Sequence, residues 1–307
     1  YWASGNVIQC FETGHKLSET SPVKVGLQTG SNEKFVREWF EVSKNNTSFI
    51  CNDEHDFNMK WFPYNKGGDY RKWYGNNENV VNWYNGGSEI INFKDGKGKQ
   101  RSRPQNINYY FERSVTWSFI SSSFFGARFS DTRAIFDVAG SSTFPNDDDI
   151  EIICGLLCSK LSSIFLALMN PTLNFQINDV GSIPLLHFEN RDEIKELVRE
   201  INAISKLDWN SFETSWDFKT LPLLSPDYHS ATLQNTYSSL RTHWQEMTVE
   251  MLRLEEENNR IFIDAYGLQD ELTPDVPLHE ITLTSNPAYR YGKKASKEVQ
   301  EKRLCED

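Results

Sequence analysis

The stretch NDDDIEIICGLLCSKLSSIFLALMNP, residues 146–171, separates two parts of the chain that follow different patterns. Asn146 and the three aspartates after it supply an N-cap and the negative charge that favours a helix start. The next residues are apolar around most of a helical circumference, which predicts one deeply packed helix that runs to Met169. Because Glu151, Lys160 and several serines interrupt it, a buried helix is favoured over a membrane span.

The residues before this stretch predict a strand-rich domain. Short apolar or aromatic runs alternate with turn dipeptides such as Gly67-Gly68 and Asp95-Gly96, which supply the positive φ that tight turns require. Residues 109–111, 115–120 and 134–138 have the composition and length of strands, and residues 31–42 have the spacing of a short helix.

The residues after it predict helices. Residues 191–205 form a charged amphipathic helix, and a long helix is predicted from residue 225 to Tyr266, with Gly267 as its stop. At 1.5 Å per residue this helix would be about 55–60 Å long, which is typical of a spacer. Its predicted apolar seam is Leu233, Tyr237, Leu240, Trp244, Met247, Met251, Leu254 and Ile261. The sequence therefore predicts an α+β protein: a strand-rich α/β domain (1–186), a helical spacer region (187–284) and the start of a further segment or a tail (285–307).

Charge is divided unevenly between these parts. The 307-residue chain has a formal charge of -11, with 38% hydrophobic and 24% charged residues, as in soluble globular proteins. Residues 60–113 hold ten bases and five acids, a balance of +5, whereas residues 189–280 hold 19 acids and eight bases, a balance of -11. A basic patch can bind phosphate although the whole protein is acidic.

The cysteines and the first residues predict where the protein is located and whether the chain is complete. Five scattered cysteines and no secretory signal predict a cytoplasmic protein with no membrane association. Because the chain opens at Tyr1 without a methionine, we expect it to be a piece of a longer protein.

Two segments of the first part have the composition of a nucleic-acid surface. Residues 94–106, KDGKGKQRSRPQN, alternate glycines with cations and end in arginines and amides, while residues 65–77, NKGGDYRKWYGNN, interleave cations and amides with aromatics. Cations neutralise phosphates, and Arg, Gln and Asn carry the paired donors that base edges require. The phosphate candidates are Lys66, Arg71, Lys72, Lys94, Lys97 and Lys99, and the base-edge candidates are Arg101, Arg103, Gln105, Asn76 and Asn77. The structural alternatives are a solvated hairpin tip and a core of aromatics with polar turns.

Catalytic and metal-binding patterns are not found in the sequence. It has no phosphate-binding or nucleotide-binding glycine loop and no nucleophile elbow. Cys154 and Cys158 are interpreted as buried thiols rather than half of a zinc site. Residues 286–289, NPAY, differ from the Asn-Pro-Pro-Tyr motif of amino-group methyltransferases in one proline. We therefore expect no catalysis, no cofactor and no metal in this chain.

Taken together, several blocks resemble the C-terminal region of adenine-specific DNA methyltransferases of the phage-defence (BREX, PglX) type, a branch of the single-chain restriction–modification enzymes. The blocks are residues 26–35 (GLQTGSNEKF) with Arg37 and Trp39, 72–78 (KWYGNNE), 101–106 (RSRPQN), 116–123 (TWSFISSS), 136–142 (FDVAGSS), 170–176 (NPTLNFQ), 208–218 (DWNSFETSWDF) and 259–272 (NRIFIDAYGLQDEL).

The resemblance implies a division of labour. An N-terminal methyltransferase domain, absent here, would bind S-adenosylmethionine and methylate the exocyclic amino group of an adenine flipped out of the duplex. The part that resembles this chain is a target recognition domain followed by a helical spacer. By their position in the first block, Thr29, Asn32 and Arg37 are expected to contact the DNA backbone.

The resulting hypothesis is sequence-specific recognition of double-stranded DNA on behalf of such a methyltransferase. Two other classes of function remain open. The acidic helical part could dock other defence proteins or the catalytic domain, and a carbohydrate-binding module could use Trp61, Trp73 and Trp83 as stacking platforms.

Overall fold

The computed structural model describes residues 3–49, 58–121, 124–131 and 134–307. Contacts divide the chain into two compact units, Tyr1–His187 and Phe188–Asp307. The described strands all lie in the first unit, and the longest helices lie in the second. The mixed α+β class predicted from the sequence is therefore confirmed.

The first unit consists of short helices and short strands. Its helices are α1 (Gly5–Thr13), α2 (Leu17–Thr20), α3 (Asn32–Phe35), α4 (Tyr84–Ile91), α5 (Ile150–Cys158), α6 (Lys160–Met169) and α7 (Ile177–Gly181). Its strands are β1 (His15–Lys16), β2 (Val23–Lys24), β3 (Val36–Glu38), β4 (Trp61–Asn65), β5 (Asn79–Asn82), β6 (Ser114–Trp117), β7 (Ala127–Ser130), β8 (Ile135–Phe136), β9 (Ser142–Thr143) and β10 (Pro184–Leu185). Among the described residues the strands form three sheets, ordered β1-β10, β2-β9-β6-β7 and β3-β5-β4-β8. The β4–β8 pair is parallel and the others are antiparallel.

An aromatic core lies against the sheet β3-β5-β4-β8. Phe62 and Tyr64 are two residues apart on β4 and therefore point to the same face of the sheet. Both are at most 1% exposed. Full burial of a large apolar side chain stabilises a fold by about 1.5–3 kcal/mol. The cluster is Leu27, Phe35, Val36, Phe62, Tyr64, Val81, Trp83, Ile90, Tyr110, Ile135, Phe136 and Phe144. Because it includes Leu27 and Phe136, it anchors the loops in which the candidate site lies.

The apolar stretch of residues 150–169 forms two helices rather than the single helix predicted. Ser159 between them is extended (φ -75°, ψ 160°), and the hydroxyls of Ser159 and Ser162 donate to the carbonyl of Leu156 at 2.6 and 2.7 Å. Serines that bond a nearby carbonyl compete with the helical ladder. Within the described ranges no single helix has the length and hydropathy of a membrane span; α5 and α6 reach them only together, across a bend of 68°.

The strand and helix predictions for the first unit hold in part. Strands β6 and β8 lie within or beside the predicted runs 115–120 and 134–138. The run 109–111 is not a strand: Tyr109 is the last residue of a 3-10 helix, Ile107–Tyr109, and Phe111 has φ +69°. In the predicted helix 31–42, α3 ends at Phe35 and the chain continues as β3.

The second unit is built on two long helices, α8 (Arg191–Asn210) and α9 (Leu233–Ala265), which pack together, followed by α10 (Pro287–Arg290) and α11 (Lys297–Glu306). The amphipathic helix predicted from residue 191 is confirmed, and so is the stop at Gly267, which has φ +66°. The predicted start of the long helix at residue 225 is wrong. Thr232 caps α9, accepting a hydrogen bond from the Asn235 amide at 3.2 Å. The predicted seam also shifts, because Leu233 is 71% exposed while Phe262 and Ile263 are buried.

Polar contacts tie the last segment of the second unit to these helices. The carboxylate of Asp208, 1% exposed, accepts from the amides of Thr284 and Ser285 at 2.6 and 2.9 Å and from the Ser285 hydroxyl at 2.7 Å. Arg241 of α9 donates two hydrogen bonds to Glu301 of α11, each of 2.7 Å. Residues 284–301 thus fold as part of the second unit.

Candidate nucleic-acid interface

Residues 93–103 form a two-stranded ribbon whose tip is residues 96–98. The backbone amide of Asp95 donates to the Lys99 carbonyl at 2.9 Å, and that of Arg101 donates to the Phe93 carbonyl at 3.0 Å. One carboxylate oxygen of Asp95, Oδ1, accepts from the amides of Lys97 and Lys99, both at 2.9 Å. Gly98 supplies the positive φ of the turn (+77°). The glycine-rich basic segment is therefore an ordered hairpin.

The ribbon exposes unpaired positive charge. The side chains of Lys94, Lys97, Lys99, Arg101 and Arg103 are all exposed, and none makes a hydrogen bond or an ion pair with the described residues. Between the arginines, Ser102 is 5% exposed and donates to the carbonyl of Ile90. The alternation of a strand therefore turns Ser102 inward and both arginines outward. We call these five cations the basic ribbon face.

The loop of residues 26–32 lies alongside this ribbon, although about 70 residues separate them in sequence. Gln28 and Arg103 exchange backbone hydrogen bonds of 3.1 and 2.8 Å. Gly30 has φ +76°, and a Cβ there would lie 2.7 Å from the backbone carbonyl group of Arg101. Two of the blocks that carry the family resemblance, residues 26–35 and 101–106, are thus in direct contact.

Loop and ribbon border an open polar concavity of about 380 Å³. It is lined by Gln28, Gly30, Asp95, Lys99, Gln100 and Arg101. The side-chain amide of Gln100 donates to the Ile91 carbonyl and to the Ser102 hydroxyl, both at 2.8 Å. These bonds fix the Gln100 side chain in the wall of the concavity. The arrangement can present hydrogen-bond donors and acceptors together with positive charge.

Beneath the loop, Tyr64 and Asp137 form a buried polar pair. The Tyr64 hydroxyl donates to Asp137 Oδ2 and contacts the Leu27 carbonyl at 3.2 Å, while the Ala139 amide donates to Asp137 Oδ1 at 2.7 Å. Burial raises the pKa of Asp137; the bonds from Tyr64 and Ala139 and the charge of Lys66 oppose that rise. The pair therefore joins β4, the loop at residue 27 and the loop at residues 137–139.

The raised pKa of Asp137 predicts a pH-dependent stability. When folding raises a pKa, the native state binds the proton more tightly than the unfolded state. The resulting stabilisation of the native state is fully present below the unfolded pKa, about 3.9 for Asp, and is lost as pH rises through the folded pKa. Asp137→Asn stays neutral at every pH. We therefore expect the unmodified chain to lose stability relative to this variant as pH rises. The difference in free energy of unfolding, variant minus unmodified chain, should increase from about pH 4 to pH 7.

Urea unfolding of both proteins at several pH values measures this difference. Glu78, whose pKa is also raised by burial, is common to both proteins, so its contribution cancels. A difference that does not change with pH would contradict the assignment.

Four predicted contact residues are buried instead. The exposed fractions of Thr29, Arg71, Lys72 and Asn77 are 2%, 3%, 6% and 8%. Arg71 donates to the Tyr74 carbonyl at 2.7 Å, and Thr29 donates to Asn32 Oδ1 at 2.7 Å. In this structure these side chains lie below the surface that a duplex could touch. For Arg71, Lys72 and Asn77 this agrees with the alternative left open by the sequence, a core of aromatics with polar turns.

The other predicted contact residues lie at the surface or half-buried, and several have structural partners. Asn76 has φ +57° and donates to the Asp69 carbonyl at 2.9 Å, and Gln105 donates to the Gly26 carbonyl at 3.3 Å. Arg37 donates to two backbone carbonyls, and its guanidinium lies 6.0 Å from the Trp61 ring centroid. Lys66 is half-buried near Asp137, and Asn32 is exposed.

Two exposed residues next to the ribbon had not been singled out from the sequence. The Lys34 ammonium lies 4.9 Å from the ring centroid of Phe93, at the base of the ribbon, and Gln28 pairs with Arg103. Both belong to the first resemblance block. Only the contact between loop and ribbon reveals that they extend the basic ribbon face.

The platforms for carbohydrate stacking are mostly buried. Trp73 is 0% and Trp83 4% exposed, so neither presents a ring face to a sugar. Only Trp61 of the three proposed platforms is partly exposed.

The cysteines and the NPAY segment, which were considered from their sequence for metal binding and catalysis, can now be placed in the structure. Cys154 and Cys158 are buried, as predicted, and Cys51 lies outside the described residues. Across the described ranges no three His, Cys, Asp or Glu side chains group as metal ligands. Asn286 caps α10: its oxygen accepts from the Ala288 amide, and its nitrogen donates to the carbonyls of Leu278 and Ile281.

Comparison with known proteins gives two strong matches. The chain is 39% identical over 282 residues to the adenine-specific methyltransferase PglX of Lacticaseibacillus casei (strain Zhang), covering 90% of this chain and 23% of that protein. It is 34% identical over 296 residues to the adenine-specific methyltransferase BrxX of Escherichia coli O9:H4 (strain HS), covering 95% of this chain and 23% of that protein. No protein-family model matches it.

These matches relate the chain to adenine-specific methyltransferases. More narrowly, they confirm the resemblance to the BREX-type PglX and BrxX proteins, and the chain spans just under a quarter of the length of those relatives.

Proposed function

We propose that this chain recognises double-stranded DNA as the specificity part of an adenine-specific methyltransferase of a phage-defence system. The observation that carries the proposal is the basic ribbon face: five exposed cations on an ordered hairpin, which have no partner among the residues that the structure describes. A two-stranded ribbon fits the major groove of B-DNA, where base edges can be read. Lysines at its tip suit phosphates, and the two outward arginines suit bases.

The relatives support the remainder of the proposal. Both are named adenine-specific methyltransferases. A methyl group for adenine would come from S-adenosylmethionine bound in a catalytic domain of the same protein, acting in the cytoplasm. In this division of labour the first unit reads DNA, and the helical second unit is a spacer.

Burial and hydrogen bonding narrow the proposed set of DNA-contacting residues. Arg37, Asn76 and Gln105 leave the set because their side chains donate to backbone carbonyls. Lys94, Lys97 and Lys99 remain as phosphate contacts, together with Lys34 and, more weakly, Lys66 and Asn32. Arg101 and Arg103 remain as base-edge contacts, and Gln28 is added to them. The buried residues Arg71, Lys72, Thr29 and Asn77 are assigned to holding the loops in place.

Salt dependence tests this proposal. Each neutralised phosphate releases condensed counterions, so the logarithm of the affinity falls by about 0.9 per contact for each tenfold rise in salt. Binding of the full chain to a duplex of mixed sequence, measured between 50 and 200 mM salt, should weaken steeply. Affinity that does not change with salt would remove the DNA proposal and favour another ligand.

A second function has support from the second unit. Leu207, Leu224, Leu233 and Val249 are 57–71% exposed on an acidic helical unit. Exposed apolar residues of this kind suit a protein partner, such as a catalytic domain or another defence protein. This function and DNA reading use different units, so Leu207→Glu with Val249→Glu should leave DNA affinity unchanged.

A further inference from the structure

One carboxylate stands among the cations of the ribbon. Oδ1 of Asp95 holds the turn by accepting from two amides, whereas its second oxygen, Oδ2, takes no hydrogen bond or ion pair from the described residues. Asp95 and Lys99 face each other across the ribbon, and Arg101 follows Lys99 by two residues. Because strand side chains alternate, the three share one face. That face lines the concavity beside Gln28.

A surface for phosphates alone gains nothing from this carboxylate, because it repels them. Hydrogen-bond donors next to an acceptor are complementary to a base pair, whose major-groove edge also presents acceptors next to a donor. In the major groove guanine offers two acceptors, O6 and N7, and cytosine offers an amino donor on N4. Arg pairs with the first through two hydrogen bonds, and Asp accepts from the second.

We infer that this face reads a G·C base pair, with Arg101 donating to guanine O6 and N7 and Asp95 Oδ2 accepting from the cytosine amino group. The inference rests on the proposed function and adds to it the base pair that is read.

The surroundings hold the Arg101 backbone and the Asp95 carboxylate in place. Gly30 leaves room beside Arg101, since even a Cβ there would touch the Arg101 backbone at 2.7 Å. The hydrogen bonds of Asp95 Oδ1 fix the orientation of its carboxylate. A carboxylate whose orientation is already fixed loses little freedom when it binds, which favours specificity.

Two conservative variants test the inference. Arg101→Lys keeps the charge but loses the paired donors. Asp95→Asn keeps an oxygen for the turn but replaces the acceptor Oδ2 by a donor. The full chain and both variants are each used to select from a pool of randomised duplexes, and the enriched sequences are compared.

We expect both variants to lose preference at the same G·C position, by about 5- to 150-fold, while they still bind DNA. At that position 7-deazaguanine, which lacks N7, should weaken binding of the unmodified chain. Inosine opposite cytosine should not, because its major-groove edge equals that of guanine.

The possible failures are distinguishable. If the chain enriches a motif but the variants change different positions or none, the G·C inference is overturned and DNA recognition stands. If the unmodified chain enriches no sequence and shows no salt-dependent binding, both fall. Circular dichroism of both variants verifies that each is folded.

Discussion

Replacing Lys94, Lys97 and Lys99 together by Gln should reduce the affinity for duplex DNA on the order of 100-fold at physiological salt. The three ammonium groups are exposed and unpaired among the described residues, so each is free to displace counterions from a phosphate. The slope of log affinity against log salt should become shallower by about 2.7, which is three times the contribution of one contact. Fluorescence anisotropy with a labelled duplex at four salt concentrations measures both quantities.

The matched control removes the same charge elsewhere. Lys293, Lys294 and Lys297 are exposed in the second unit, and their replacement by Gln should leave the slope unchanged. If both triple variants lower affinity equally, net charge rather than the basic ribbon face determines binding. That result would contradict the placement of the interface.

The second large effect is expected at Gly26. A Cβ there would lie 1.8 Å from the Phe136 carbonyl oxygen, and backbone atoms cannot give way as a flexible side chain does. Gly26→Ala should therefore lower the free energy of unfolding by about 3 kcal/mol, the upper range for an overpacked site. DNA binding should also weaken, because the same loop carries Gln28 and accepts the Gln105 amide.

Gly96→Ala is the control for this variant. Gly96 is at the ribbon tip, and a Cβ there meets nothing within 4 Å. Urea unfolding followed by circular dichroism should place Gly96→Ala within about 0.5 kcal/mol of the unmodified chain. Equal stability of the two alanine variants would mean that the loop at residue 26 adapts to the added methyl group.

Features with a local cause were predictable from the sequence. Helix α8 follows from its amphipathic spacing, and the stop of α9 follows from the C-terminal glycine Gly267. The hairpin also has a local cause, because its glycines and Asp95 act within a few residues of one another. The start of α9 was misplaced because Ser225-Pro226-Asp227 has the composition of a helix start, whereas Thr232 provides the cap.

Features that depend on a distant partner were not predictable. Nothing in the spacing of residues 65–77 distinguishes a cation in solvent from Arg71, which donates to a backbone carbonyl and is buried. The pairing of Gln28 with Arg103 joins segments far apart in sequence, and so it added Lys34 and Gln28 to the site only in the structure. The resemblance blocks contained these residues without indicating that they meet.

The measurement that tests the central claim most directly is photochemical cross-linking of the full chain to a duplex, followed by mapping of the linked peptides. If the first unit reads DNA through the basic ribbon face, cross-links should concentrate in residues 28–34 and 94–103. Peptides of the second unit should remain unlinked. Cross-links confined to residues 188–307 would contradict the account, because DNA would then contact the helical unit.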